Sequence, residues 1–217
     1  MSDEKVGKLS CSDCGVFNCH RQLKHYPDFC LTTHLDAEKI EQAKEILKNH
    51  PEDSKLARIA TEIEGKRGLT RVEETIAFAK RMQARKIGIA TCIGTNPEAK
   101  IFAKILKAKG FEPVTVLCKV GSVDKTDIGV PEEFKIMPGK GHEACCNPVL
   151  QAMILNSEKT DLNVIIGLCA GHDYLFMKYS DAPATVMMVK DRVLGHNPAA
   201  ALYNTTIYYK HLLEPDV

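Results

Sequence analysis

The sequence predicts an α/β protein whose main body is a Rossmann-like three-layer domain, a mainly parallel sheet of four or slightly more strands covered by helices on both faces. Three observations predict it. From residue 86 onward, apolar runs without polar alternation (KIGIATC, EPVTVLC, LNVIIGLC, ATVMMVK) read as strands buried on both faces. Helical periodicity fills the gaps, and strands alternating with helices mean parallel βαβ units. Three Asn-Pro pairs, at 96–97, 147–148 and 197–198, read as helix starts, with Asn as cap and Pro in the first turn.

Residues 1–35 form a cysteine-rich segment with little hydrophobic periodicity, and a metal is the expected source of its order. Residues 36–86 read as three helices. Asp36 caps the first, which carries Ile40, Ala43 and Leu47 on one face; the second starts near Pro51 and stops at Gly65; the third opens with the capping box Thr70 to Glu73. Residues 87–217 are the α/β domain, with expected strand order 2-1-3-4. Its first strand leads to Cys92, its second to Cys118, its third to Cys169 and its fourth to Lys190. Helices open at Asn96-Pro97, Asn147-Pro148, near Asp173, and at Asn197-Pro198, the last expected to run through 199–213. A long connection, 119–146, reads as a binding loop or lid, because connections of that length in a compact domain are uncommon.

Composition narrows the function. A net charge of +1 leaves no electrostatic footprint for nucleic acid or a membrane surface. Trp is absent and aromatics are 6%, which argues against base-stacking platforms. The start, MSDEKVGKLS, has no apolar core of a signal peptide, and no apolar run approaches a membrane span, so the cytoplasm is the expected compartment. Nine cysteines, an odd number, argue against a disulfide scaffold and for metal or redox chemistry. The expected partner is a small-molecule ligand, with a homodimer as the candidate assembly.

Two groups of cysteines stand out. Cys11, Cys14, Cys19 and Cys30 have the spacing C-x2-C-x4-C-x10-C, four thiols that suit a tetrahedral zinc or a [4Fe-4S] cluster equally. The other five follow from topology. In an open parallel sheet the carboxyl ends of all strands share one edge, where ligands bind, and helix N-termini point to it. Cys92, Cys118 and Cys169 lie at strand ends, and Cys145 and Cys146 precede a helix start, so all five fall on that edge. Cys92, Cys118, Cys145 and Cys146, with His142, are therefore candidates for a second metal site. Lys190 and Arg192, with Asp173, are candidates for binding an anionic substrate. GLCAGHD, residues 167–173, has the G-x-C-x-G form of a nucleophile elbow. On that reading Cys169 is the nucleophile and His172 or His196 the base, with Cys145 a further catalytic candidate. The same motif resembles the cysteine motif of class I glutamine amidotransferases, but no carboxylate follows His196 two residues on, as that family would show.

CSDCGVFNC, EAKIFAKIL, CKVGSVDKTDIG, GLCAGHDYLFMKYS and VKDRVLGHNPAAALY together resemble a family of bacterial and archaeal proteins catalogued as domain of unknown function 1847. The resemblance spans nearly the whole chain and implies a cysteine-rich metal-binding protein. Three functions remain open on the sequence. One is a metal- or iron–sulfur-dependent redox enzyme or sensor acting on a small molecule. Another is a cysteine-nucleophile enzyme with a structural zinc, and the third a non-catalytic metal carrier.

Overall fold

The computed structural model describes residues 9–215. The chain divides into two compact units, one reaching to Glu62 and one starting at Ile63. The first unit holds the cysteine-rich segment, a single turn α1 (Leu31–His34), α2 (Ala37–Asn49) and most of α3 (Pro51–Glu64). Asp36 caps α2 as expected, its carboxylate accepting the Glu38 N–H at 3.0 Å. The apolar side chains of α2, Ile40, Ile46 and Leu47, are all exposed.

The second unit opens with α4 (Arg71–Met82), whose capping box is formed: the Thr70 hydroxyl accepts the Glu73 N–H and the Glu73 carboxylate accepts the Thr70 N–H. The order then runs β1 (Lys86–Thr91), α5 (Asn96–Ala108), β2 (Glu112–Leu117), α6 (Pro148–Ser157), β3 (Leu162–Ile166), α7 (His172–Tyr179), β4 (Ala184–Met188) and α8 (Ala199–Tyr203). All pairings are parallel and the strand order is β2-β1-β3-β4, as the sequence predicts. The order reverses between β1 and β3, so the ligand-binding crevice of such a sheet lies above their carboxyl ends.

The strands' period of two sorts the core into two layers. Ile87 and Ile89 of β1 join Leu162, Val164 and Ile166 of β3 against Ile76 and Ala79 of α4 and Phe102 and Leu106 of α5. On the other face, Ala90 and Cys92 join Val116, Cys118 and Ile165 against Ala152 and Leu155 of α6 and Phe176 of α7. The two central strands are buried almost throughout; β2 and β4 are the edges. Pro113 is tolerated in β2 because an edge strand has an unpaired side. At the other edge Arg71 of α4 donates to the Val186 carbonyl and the Thr185 hydroxyl of β4.

The last helix is shorter than the periodicity suggests. α8 stops at Tyr203, and turns lead to a short 3-10 stretch at Lys210–Leu213. The sequence Asn204-Thr205-Thr206-Ile207 explains the break: the three β-branched residues favour helix weakly, and the Asn204 amide donates to the Ala200 carbonyl at 2.8 Å as the helix ends. The Asn-Pro pairs also divide. Asn147 caps α6, its Oδ1 accepting the Leu150 N–H at 2.9 Å. Asn96 already lies inside α5, where Thr95 holds the cap position, and α8 starts two residues after Asn197.

Candidate functional site

Register places the first two thiols. Thr91 pairs with Leu117, so the next step along both strands sets Cys92 beside Cys118. Their even positions put both side chains on the α6 and α7 face, where both are buried. The 119–146 connection returns to this edge: the Asn147 N–H donates to the Cys118 carbonyl at 2.8 Å, laying the start of α6 alongside the end of β2. Cys146, half-buried, packs against the same cluster. The three side chains share one cluster, Cys92 and Cys118 at neighbouring strand ends and Cys146 packed against them.

Cations surround them. The Lys190 ammonium lies 3.2 Å from the Cys92 sulfur and the Arg192 guanidinium 3.4 Å from the Cys169 sulfur. Lys119 donates to the Ala144 carbonyl at 2.6 Å, and its charge acts on Cys146. Gly94 makes room for Lys190: a Cβ there would meet the ammonium at 2.6 Å. Backbone N–H groups add to the field, since the Ile93 N–H points at the Cys118 sulfur at 3.4 Å.

This arrangement separates the thiols electrostatically. The neighbouring Cys118 thiol, and then the charges of Lys119 and His172, draw the Cys146 thiol down to about 5 against the opposing effect of burial. The same pairing with Cys146, reinforced by burial, pushes Cys118 far up. Burial alone would raise Cys92, but the Gly94 N–H and the Lys190 ammonium outweigh it, and the net direction is down. A central protonated thiol thus sits between two that favour the thiolate, the nucleophilic and metal-ligating form.

Beneath the site, Thr95 and Gln151 tie the edge together. The Thr95 hydroxyl donates to the Ile166 carbonyl at 2.9 Å, joining the end of β3 to the start of α5. The Gln151 amide donates to the carbonyls of Thr91 and Val116 at 3.1 and 2.7 Å, linking α6 to β1 and β2.

The long connection is an ion-laced loop. Lys135, almost wholly buried, meets Asp124 at 3.0 Å and Glu132 at 2.7 Å, and Lys125 pairs with Glu143. Asp124 also accepts the N–H groups of Thr126 and Glu143, and Glu143 those of Ile136 and Met137. The Lys125 ammonium is the largest influence holding Glu143 down to about 2, and the Thr126 N–H and hydroxyl hold Asp124 below the carboxylate range. Carboxylates depressed in the folded state stabilise it fully above their unfolded values, and that contribution is lost as pH falls through the folded values. Amide exchange at Glu143 and Cys145, corrected for intrinsic rate, is therefore expected to stay slow at pH 5 and to quicken progressively between about pH 4.5 and 2. Exchange that is flat across that window would rule out ion pairing as what closes the loop.

Other candidates lie apart from the thiols. His142 is held in the loop, its ring 3.2 Å from both the Ser122 hydroxyl and the Asp124 carboxylate. Cys145 is buried, with its N–H donating to the Val123 carbonyl at 2.8 Å. Cys169 stands on the turn between β3 and α7, between Gly167 and Gly171, which both have positive φ. Its recorded side-chain partner is Arg192. The His196 ring accepts the Asp191 N–H at 3.1 Å and so braces its own turn. Asp173 accepts the Tyr174 N–H at 2.8 Å at the start of α7. In the first unit Cys11 and Cys19 are exposed and Cys14 and Cys30 half-buried. Among the described residues, no three His, Cys, Asp or Glu side chains are grouped so as to hold a metal ion. Lys119 escaped the sequence reading, although its place one residue past a strand-end cysteine was the available signal.

The model of the family described as Protein of unknown function (DUF1847) matches residues 30–187. The chain belongs to this family. The matched range carries Cys30 and all five thiols of the sheet edge. An uncharacterized protein of Methanocaldococcus jannaschii is 52% identical over 165 residues, which cover 75% of this chain and 82% of the relative. No solved structure matches the chain. Among the described residues, no helix is long and apolar enough to cross a membrane.

Proposed function

We propose that this DUF1847 protein is a thiol-dependent redox protein acting on a small molecule at the carboxyl edge of its sheet, with Cys146 and Cys118 as its dithiol. The observation that carries the reading is the placement of the two thiols at the point where strand order reverses: the Asn147 N–H donates to the Cys118 carbonyl at 2.8 Å and so lays Cys146 against the cluster that holds Cys118. The chemistry suits a disulfide substrate. The Cys146 thiolate attacks one substrate sulfur, forming a mixed disulfide and releasing the first thiolate. Cys118 then attacks the Cys146 sulfur, expelling the second thiolate, which takes up the Cys118 proton. The dithiol becomes a disulfide and the substrate two thiols. Such a protein needs a reducing compartment to reset it, in keeping with the cytoplasm.

Thiol counting tests this. Nine titratable thiols under reducing, denaturing conditions are expected to fall to seven after mild oxidation of the native chain and to return on reduction. Cys146→Ser is expected to begin at eight and stay there. Loss of two thiols in that variant, or no loss in the parent, would remove the assignment.

A second reading concerns the N-terminal thiols. The Cys14 N–H donates to the Cys11 carbonyl at 3.2 Å, which keeps both thiols of the C-x2-C on one tight turn, as a zinc ion or a [4Fe-4S] cluster would need. Elemental analysis and the visible spectrum of anaerobically purified protein test it. Stoichiometric zinc, or a brown iron–sulfide chromophore, lost on replacing Cys11 and Cys14 supports it; metal-free protein contradicts it.

A further inference from the structure

The cations of the loop and those of the thiol edge differ in one respect. Lys125 and Lys135 each face a carboxylate at salt-bridge distance. Among the described residues, Lys119, Lys190 and Arg192 have no carboxylate at that distance: their partners are the Ala144 carbonyl and the sulfurs of Cys92 and Cys169. The two nearby acids, Asp173 and Asp191, accept backbone N–H groups of their own turns. Arg192 meets the Cys169 sulfur at 3.4 Å and Lys190 the Cys92 sulfur at 3.2 Å, so two of the thiols each face a cation. The edge therefore gathers three cations without carboxylate partners around its thiols, one more than the two thiolates they face, and Gly94 preserves the space in which the Lys190 ammonium sits.

We propose that the thiol edge binds its substrate through an oxyanion, a carboxylate or another small acidic group, held by Lys190 and Arg192 with Lys119 adding to the field. This rests on the reading of the edge as a thiol redox site and names the class of molecule it takes. Arg192 offers a planar fork to the oxyanion and Lys190 a mobile point charge. Binding exchanges their thiol contacts for the ligand and leaves the sulfurs beside it.

Two alkylating agents of similar size and different charge test the proposal on the intact chain, with Cys146 modification read by peptide mapping. The rate ratio of iodoacetate to iodoacetamide at Cys146 is expected to be about tenfold above that of a cysteine peptide, as a net positive charge near a surface site would give. Lys190→Met and Arg192→Met are each expected to lower the ratio about two- to threefold, the iodoacetate rate falling by more than any change in the iodoacetamide rate. A ratio equal to the peptide's, or variants that shift both rates in proportion, would overturn the proposal. No disulfide forms in this assay, so it stands or falls independently of thiol counting: charge preference without dithiol cycling would retain the anion site and sink the redox reading.

Discussion

At pH 6, iodoacetamide is expected to modify Cys146 of the native chain on the order of tenfold faster than a cysteine peptide, and at pH 8 about fivefold more slowly. The crossover follows from two opposing effects. A thiol lowered to about 5 from its ordinary 9.0 is mostly thiolate at pH 6, while an ordinary thiol is only about 0.1% ionised there. That is nearly a thousandfold advantage in reactive form. A four-unit drop in basicity costs about 40- to 100-fold in intrinsic nucleophilicity, which leaves the modest net gain. By pH 8 an ordinary thiol is about 10% ionised, and the weaker nucleophile loses. The shape of the pH profile, rather than the rate at neutral pH, is therefore the diagnostic. Lys119→Met is expected to move the midpoint upward, because it removes a positive charge beside Cys146. A midpoint near 9 in the parent chain would show that Cys118 does not draw the Cys146 thiol down.

Gly167→Ala is expected to destabilise the second unit by about 3–5 kcal/mol, a loss of roughly 10 °C in Tm for a unit of this size. Two costs add. Gly167 has φ +68°, a region that costs an L side chain about 1–2 kcal/mol. An added Cβ would also stand 2.4 Å from the Thr95 Cγ2 and 2.6 Å from its hydroxyl. Thr95 is fully buried and its hydroxyl serves the Ile166 carbonyl, so moving it breaks a hydrogen bond that has no solvent substitute. Gly171→Ala is the control: φ is +84°, but nothing lies within 4 Å of the added atom, so only the backbone cost of about 1–2 kcal/mol applies. Equal Tm losses in the two variants would mean that the contact with Thr95 is not what fixes the β3 turn.

The sheet was legible because each strand is a continuous apolar run ending in a turn signal, and parallel order follows once helices intervene. Cys92 and Cys118 were legible for the same reason, as both sit one step past a strand on the same parity. Cys146 required the Asn147 cap, whose short polar side chain marks the start of α6. The histidines were harder. His142 and His196 sit at positions that topology brings to the right edge, yet local partners hold them: Asp124 for one, the Asp191 N–H for the other. A loop's internal hydrogen bonds leave no periodic trace in sequence. The 119–146 connection reads as a binding loop or lid from its length, while its pairing of Lys125, Lys135, Asp124 and Glu143 is not visible in sequence. The 199–213 segment fails in the opposite way. Its apolar spacing suits a helix throughout, while Asn204 and the β-branched residues after it end the helix early.

Peptide mapping of the mildly oxidised native chain without reduction tests the central claim most directly. The account predicts one dominant cross-linked peptide pair, joining Cys118 to Cys146 and disappearing on reduction. A dominant link among Cys11, Cys14, Cys19 and Cys30, or oxidation that leaves Cys118 and Cys146 as free thiols, would contradict it.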